Sequence, residues 1–174
     1  MKQLTLAILL MLMSLNALYA QPRTIGAAVS FSGISVQYQH DMSTDSFSEI
    51  VLKSEMSRVF EGSMKYPGMT LSYIWNFIFA TRKLSDGSII SFYAGPGATA
   101  GYTPDTSSRH GAMFGLRGQL GVECHFTRGI TISAGICPAI GSHLLFNEDS
   151  MNVSCYISGL TYDLIPEVGF RYAV

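Results

Sequence analysis

The stretch Phe114-Gly115-Leu116-Arg117-Gly118-Gln119-Leu120-Gly121-Val122-Glu123-Cys124-His125-Phe126 decides the fold. Taken two residues at a time, Phe114, Leu116, Gly118, Leu120, Val122, Cys124 and Phe126 share one face. Gly115, Arg117, Gln119, Gly121, Glu123 and His125 share the other, the pattern of a strand whose side chains alternate between faces. A helical period would mix the two sets. The alternation continues on both sides. Ile130, Ile132, Ala134, Ile136, Pro138, Ile140, Leu144 and Phe146 oppose Thr131, Ser133, Gly135, Cys137, Gly141 and His143. Upstream, Ile90, Phe92, Ala94, Pro96, Ala98 and Tyr102 oppose Ser91, Tyr93, Gly95, Gly97 and Thr99. Between Met69 and Arg82, the odd positions carry Leu71, Tyr73, Trp75, Phe77 and Phe79, with Ile74 and Ile78 as apolar exceptions among the even ones. The last segment sets Tyr162, Leu164, Pro166, Val168, Phe170, Tyr172 and Val174 against Asp163, Ile165, Glu167, Gly169 and Arg171. No charge falls on any of these five apolar faces.

Three shorter segments precede these, around 25–31, 34–39 and 50–56, the third with Ile50, Leu52 and Met56 opposite Glu49, Lys53 and Glu55. Eight alternating segments predict an all-β chain. Internal Pro96, Pro138 and Pro166 each remove a ladder donor and predict a bulge or bend. The connections alternate in length. Asp41–Asp45, Leu84–Gly87 and Thr127–Gly129 are short, the last fitting a three-residue hairpin with Gly129 in the left-handed region. Ser57–Gly68, Gly101–His110 and Asn147–Thr161 are long. Short turns at one end and long links at the other are the habit of outer-membrane barrels.

Composition agrees. Charged residues are 13% of 174, about half the usual quarter, and a net charge of −1 excludes a basic nucleic-acid binder. All 17 glycines lie after residue 25. Residues 1–20 read as a cleaved secretory signal, with Lys2, an apolar run from Leu4 to Met13 and the exit Ala17-Leu18-Tyr19-Ala20. Residues 21–174 are then the barrel domain.

Alternation alone does not say which face is outside, and a soluble lipocalin-like barrel is the alternative. A polar face of Gly, Ser and Thr with few charges suits a narrow interior filled by side chains. A water-facing surface would carry far more Lys and Glu. The bulky residues Trp75, Phe77, Phe79, Phe92, Phe114, Phe126, Phe170 and Tyr172 fit better around the outside, toward lipid. The expected fold is an eight-stranded antiparallel up-and-down transmembrane β-barrel, a monomer.

In this pattern, over nearly the whole mature chain, the sequence resembles the small outer-membrane barrels of the OmpA/OmpX class. Phe170, Tyr172 and Val174 are similar to the terminal signal that the outer-membrane assembly machinery recognises, although an aromatic final residue is more usual than Val174. The resemblance implies a double-membrane bacterium, outer-membrane lipid and lipopolysaccharide as surroundings, both termini in the periplasm and the long links outside the cell.

The expected lumen collects Glu49, Lys53, Glu55, Arg82, Arg117, Glu123, Asp163, Glu167 and Arg171. Buried charges must be paired or solvated, so these are expected to form an internal network that plugs the barrel, with Arg117 as a partner of lumen carboxylates. A proton or ion path through a narrow pore is the functional alternative. His125, on the same face as Glu123, reads as a hydrogen-bonded imidazole. A lipid-modifying rim enzyme could draw on Ser107, Ser108, His110, His143, Asp105 and Asp163, but no enzyme motif accompanies them, and no catalytic residue is assigned. No cofactor or metal is expected, since there is no phosphate loop and no metal-spaced Cys/His cluster. Cys124 and Cys137 point to opposite faces and do not suit a disulfide. The expected role is structural, or surface recognition through long links bearing Phe60, Tyr66, Met151, Tyr156 and Ile157.

Overall fold

The computed structural model describes residues 23–62, 66–104, 109–146 and 151–174. The signal assignment, and Asp105, Ser107 and Ser108, lie outside the described residues. Along the chain run β1 (Arg23–Ser30), β2 (Gly33–Ser43), β3 (Ser46–Glu55), a helical turn α1 (Ser57–Phe60), β4 (Gly68–Lys83), β5 (Ile89–Pro104) and β6 (His110–His125). They are followed by β7 (Ile130–Ile136), β8 (Ala139–Phe146), β9 (Met151–Tyr156), a second helical turn α2 (Ser158–Tyr162) and β10 (Glu167–Ala173). Every pairing is antiparallel, and β1 pairs with β10, so the sheet closes on itself.

The strands form an eight-stave barrel. β7 and β8 are the two halves of the seventh stave, both on β6. Their register is continuous, Leu120 opposite Ile136 and Arg117 opposite Ala139, across the break at Cys137-Pro138. Pro138 has no N–H to give, yet its carbonyl still accepts from the Gly118 N–H at 2.9 Å. Pro96 likewise leaves a gap in the ladder toward β4, with Ile74 opposite Gly97 and Phe77 opposite Ala94 unshifted on either side. Pro166 stands immediately before β10. The prolines interrupt pairing without inserting a residue at the first two sites.

The eighth stave differs from the sequence expectation of one strand over Tyr162–Val174. β9 pairs with β8 and β10 pairs with β7. Between Gly135 and Gly141 the seventh stave advances six residues, whereas the eighth advances eleven between Glu167 and Tyr156. A straight strand cannot absorb that mismatch, and α2 takes it up. The expected long link Asn147–Thr161 is corrected accordingly: six of its residues are strand β9. The third segment also starts earlier than expected, at Ser46, and β5 and β6 extend into the link between them.

The tight turns follow their residues. Gly129 sits at φ 76° and Gly87 at φ 87°, in the left-handed region that favours glycine. In the second turn, Asp86 accepts from the Ser88 N–H at 3.0 Å and from its hydroxyl at 3.1 Å. Those bonds hold this fully exposed carboxyl below the ordinary carboxylate range.

Inside and outside divide by parity. The eight aromatics expected on the outer face are all exposed there, from Phe126 at 40% to Phe79 at 64%. The interior is polar but holds its own apolar layer. Phe47 and Tyr93 meet edge to face at 5.1 Å, with Val51, Ile74 and Met113 also buried. The Tyr93 ring lies over Gly121, where an added Cβ would stand 2.6 Å from the phenol oxygen. Glycine on the polar face is what lets an aromatic ring cross so narrow a lumen.

Candidate functional site

The lumen charges form layers that tie distant staves together. Arg171, on β10, donates from Nη1 to Glu49 of β3 at 2.9 Å and from Nη2 to Glu123 of β6 at 2.7 Å. All three side chains are excluded from solvent. Glu123 passes the chain on to His125, whose Nε2 stands 2.8 Å from Oε1 and whose Nδ1 stands 2.9 Å from the Thr131 hydroxyl. The expectation of a hydrogen-bonded imidazole describes this geometry. Nearer the long-link end, Lys53 donates to Asp163, at the end of α2, and at 2.6 Å to the Ser32 hydroxyl in the β1–β2 turn.

Glu167 has a different setting. It accepts from the Gln37 amide at 3.2 Å and from the Cys137 thiol at 3.3 Å, with no cation in bridging distance among the described residues. Asn76 donates to Gln119 at 2.7 Å. Glu55, half-buried at the rim, accepts from the Tyr156 hydroxyl at 2.9 Å. His143 is fully buried and donates from Nε2 to the Thr103 carbonyl at 2.7 Å. It stands in the wall, and Asp163 is engaged by Lys53, so this geometry does not unite those two at a solvent-facing rim.

The structure places eight of the nine expected lumen charges inside and moves one. Arg82 is exposed on the outer face. The cause is a bulge in β4: Ile78 faces Tyr93, but Ala80, not Phe79, faces Phe92. The extra residue reverses parity for the rest of the strand, so Arg82 lies opposite Ile90. A second correction concerns Arg117. It is buried and lies near enough to Asp163 and Glu167 to feel their charge, but it forms no ion pair with them: its Nη1 donates to the Ser72 hydroxyl at 3.2 Å, which in turn donates to Thr99 at 2.9 Å. The cation that bridges carboxylates is Arg171. Alternation could find which residues point inward, but not which of two arginines meets the acids. Tyr156, expected on an outer link, is the third correction. It is buried and points into the lumen.

Removing that hydroxyl offers a local test. Tyr156→Phe is expected to destabilise the barrel by about 1 kcal/mol, the net value of one such bond. In a Glu55→Gln background the loss should shrink, and denaturant titration of the four proteins in detergent measures the coupling.

The three cysteines are free, Cys137 buried, Cys124 half-buried and Cys155 exposed. Among the described residues, no group of three or more His, Cys, Asp or Glu is arranged to hold a metal ion. The site thus defines a class: a closed antiparallel barrel with a cross-braced polar interior and an apolar exterior. Comparison with family models, with curated proteins and with solved structures finds no match.

Proposed function

We propose that the chain is an exported barrel of the outer membrane of a double-membrane bacterium, similar to the OmpA/OmpX class, with a structural or surface-recognition role. The observation that carries this reading is the inverted distribution of polarity. Leu116 is 70% exposed and Phe114 56%, while Arg171 and Glu49 are wholly buried. Such an exterior suits lipid and is costly in water, since contiguous apolar patches of this extent are rare on soluble monomers. The cross-lumen bridges support a filled barrel rather than an open channel. At the long-link end, Phe60, Tyr66, Met151 and Ile157 are at least half exposed, and Tyr162 donates to Glu61 at 2.7 Å, joining the two helical turns. These side chains suit contact with lipopolysaccharide, the outer leaflet's own component. Assembly would use the outer-membrane machinery through the terminal strand.

Fractionation of producing cells tests the reading. The protein is expected in the outer-membrane pellet after carbonate wash, released by detergent, with a folded form that migrates differently before and after boiling. Recovery in the carbonate supernatant without detergent would overturn it. The double variant Phe60→Ser, Tyr66→Ser should still assemble and lose retention on immobilised lipopolysaccharide several-fold. Unchanged retention would leave the structural role alone.

A further inference from the structure

The short-turn mouth of the barrel holds a cleft of about 390 Å³ between the β2–β3 turn and the end of β6, within the range of small-ligand sites. Gln39, Asp41, Glu123 and His125 supply its polar wall, and Met42 and Ile78 an apolar one. We propose that this cleft binds a primary alkylammonium, a short aliphatic amine held through its charged nitrogen.

Beside the neutral hydroxyls of Ser43, Thr44 and Ser46, the charged hydrogen-bonding capacity of the cleft is on the acceptor side. Both ring nitrogens of His125 are engaged, by Glu123 and Thr131. Glu123 is neutralised from behind by Arg171. Asp41 accepts from the Gln39 amide nitrogen at 3.4 Å, a long bond. The other end of that amide is the independent sign of a ligand. Gln39 is only 2% exposed, and its carbonyl oxygen has no partner among the described residues. A buried carbonyl without a donor is costly. The terminal amide torsion of Gln is soft and roughly two-fold, so a half-turn exchanges the weak bond to Asp41 for a carbonyl on the side of Asp41 and the cleft. An ammonium there donates to the Gln39 oxygen and the Asp41 carboxylate together, two charge-assisted bonds in place of one long neutral donor. Met42 and Ile78 then cover the methylene stem.

Charge favours the same ligand. At this end of the lumen Glu49 and Glu123 share the cation Arg171, and Asp41 adds a third carboxylate at the cleft, so the local balance favours a cation. Arg23 lines the adjoining recess, which also touches Asp41 and His125. It bounds the site on that side, so the cleft takes one ammonium rather than a run of them. An anionic ligand would meet the carboxylates of Asp41 and Glu123, against which the cleft sets neutral hydroxyls on Ser43, Thr44 and Ser46.

Calorimetric titration of the full mature chain in detergent micelles with 5-amino-1-pentanol tests this. Saturable binding is expected, with 1,5-pentanediol, the neutral isostere, giving none. Asp41→Asn should weaken binding about tenfold, the scale of one charged hydrogen bond. Ser43→Lys, at an exposed position beside the cleft, should weaken it comparably by supplying a tethered competitor, and it remains informative should Asp41→Asn fail to fold. Absence of saturable binding into the millimolar range, equal binding of the diol, or affinity unchanged in the folded variants would overturn the proposal.

Discussion

Replacing Arg171 by Ala is expected to lower the stability of the barrel by about 3–5 kcal/mol, the cost of removing one partner from a buried ionic group. Glu49 and Glu123 both depend on this guanidinium, and neither can reach water, since both are at most 1% exposed. Their carboxylates stand across the lumen from one another, so truncation leaves like charges facing in a poorly solvated space. The barrel responds by protonating an acid or by admitting water, and either response costs free energy. Arg117→Ala is the control that gives the result meaning. It removes a cation of similar burial that donates to the Ser72 hydroxyl and forms no ion pair among the described residues, so its loss should be clearly smaller. Adding Glu49→Gln to Arg171→Ala should recover part of the deficit by removing one stranded charge. Denaturant titration in detergent, followed by circular dichroism, reads all four proteins. Equal losses for the two arginine variants would show that the Arg171 network does not brace the barrel.

The second expected result concerns the exterior. Leu116 lies midway along β6, 70% exposed, between Ala98 of β5 and Ile140 of β8. In a bilayer, Leu116→Arg should destabilise the inserted barrel by about 2–4 kcal/mol, the cost of a guanidinium near the midplane. In water the same change, at an exposed strand position with no partner to lose, should fall within about 0.5 kcal/mol. The sign of the difference between folding into liposomes and folding in solution therefore distinguishes a lipid-facing wall from a wetted one. A neutral effect on folding into liposomes would remove the membrane reading. Folding yield into liposomes across a urea series measures it.

Much of this architecture was legible in the residues because a closed barrel obeys one rule, parity, over most of its length. The stretch 114–126 carries that rule without a fault, and β6 is a strand from His110 to His125 with Arg117, Gln119 and Glu123 inside. Reading failed where the rule is locally suspended. One residue, Phe79, bulges from β4, and its neighbours give no sign of it: Ala80, Thr81 and Arg82 continue a plausible alternation on the wrong face. The eighth stave hid its helical turn for a different reason. Tyr162, Leu164 and Pro166 alternate with Asp163 and Ile165 as a strand would, and only the register of β9 against β8 shows that extra residues must be folded away. Of the candidate site, the inward acids and bases were visible as residue types on one face. Which of them touch is set by the stagger between strands that meet late in the chain, and spacing along the sequence does not encode it.

That stagger also decides how the molecule is fastened. β1 and β10 form the clasp, six facing residue pairs from Thr24–Ala173 to Val29–Val168, finished by the Val174 N–H on the Arg23 carbonyl at 2.9 Å. Every other stave has a neighbour close by in the chain, whereas this one joins the two extremities and must bear the loop-closure entropy of everything between. A chain still lacking its last eight residues therefore presents β1 as a bare rim, with its ladder groups facing outward and Glu49 and Glu123 not yet bridged. The residue that zips the clasp is the one that neutralises the core. Arg171 arrives only with the final strand, so the interior acids go unbraced until the cylinder is complete, and curling shut and setting the internal charge become a single event.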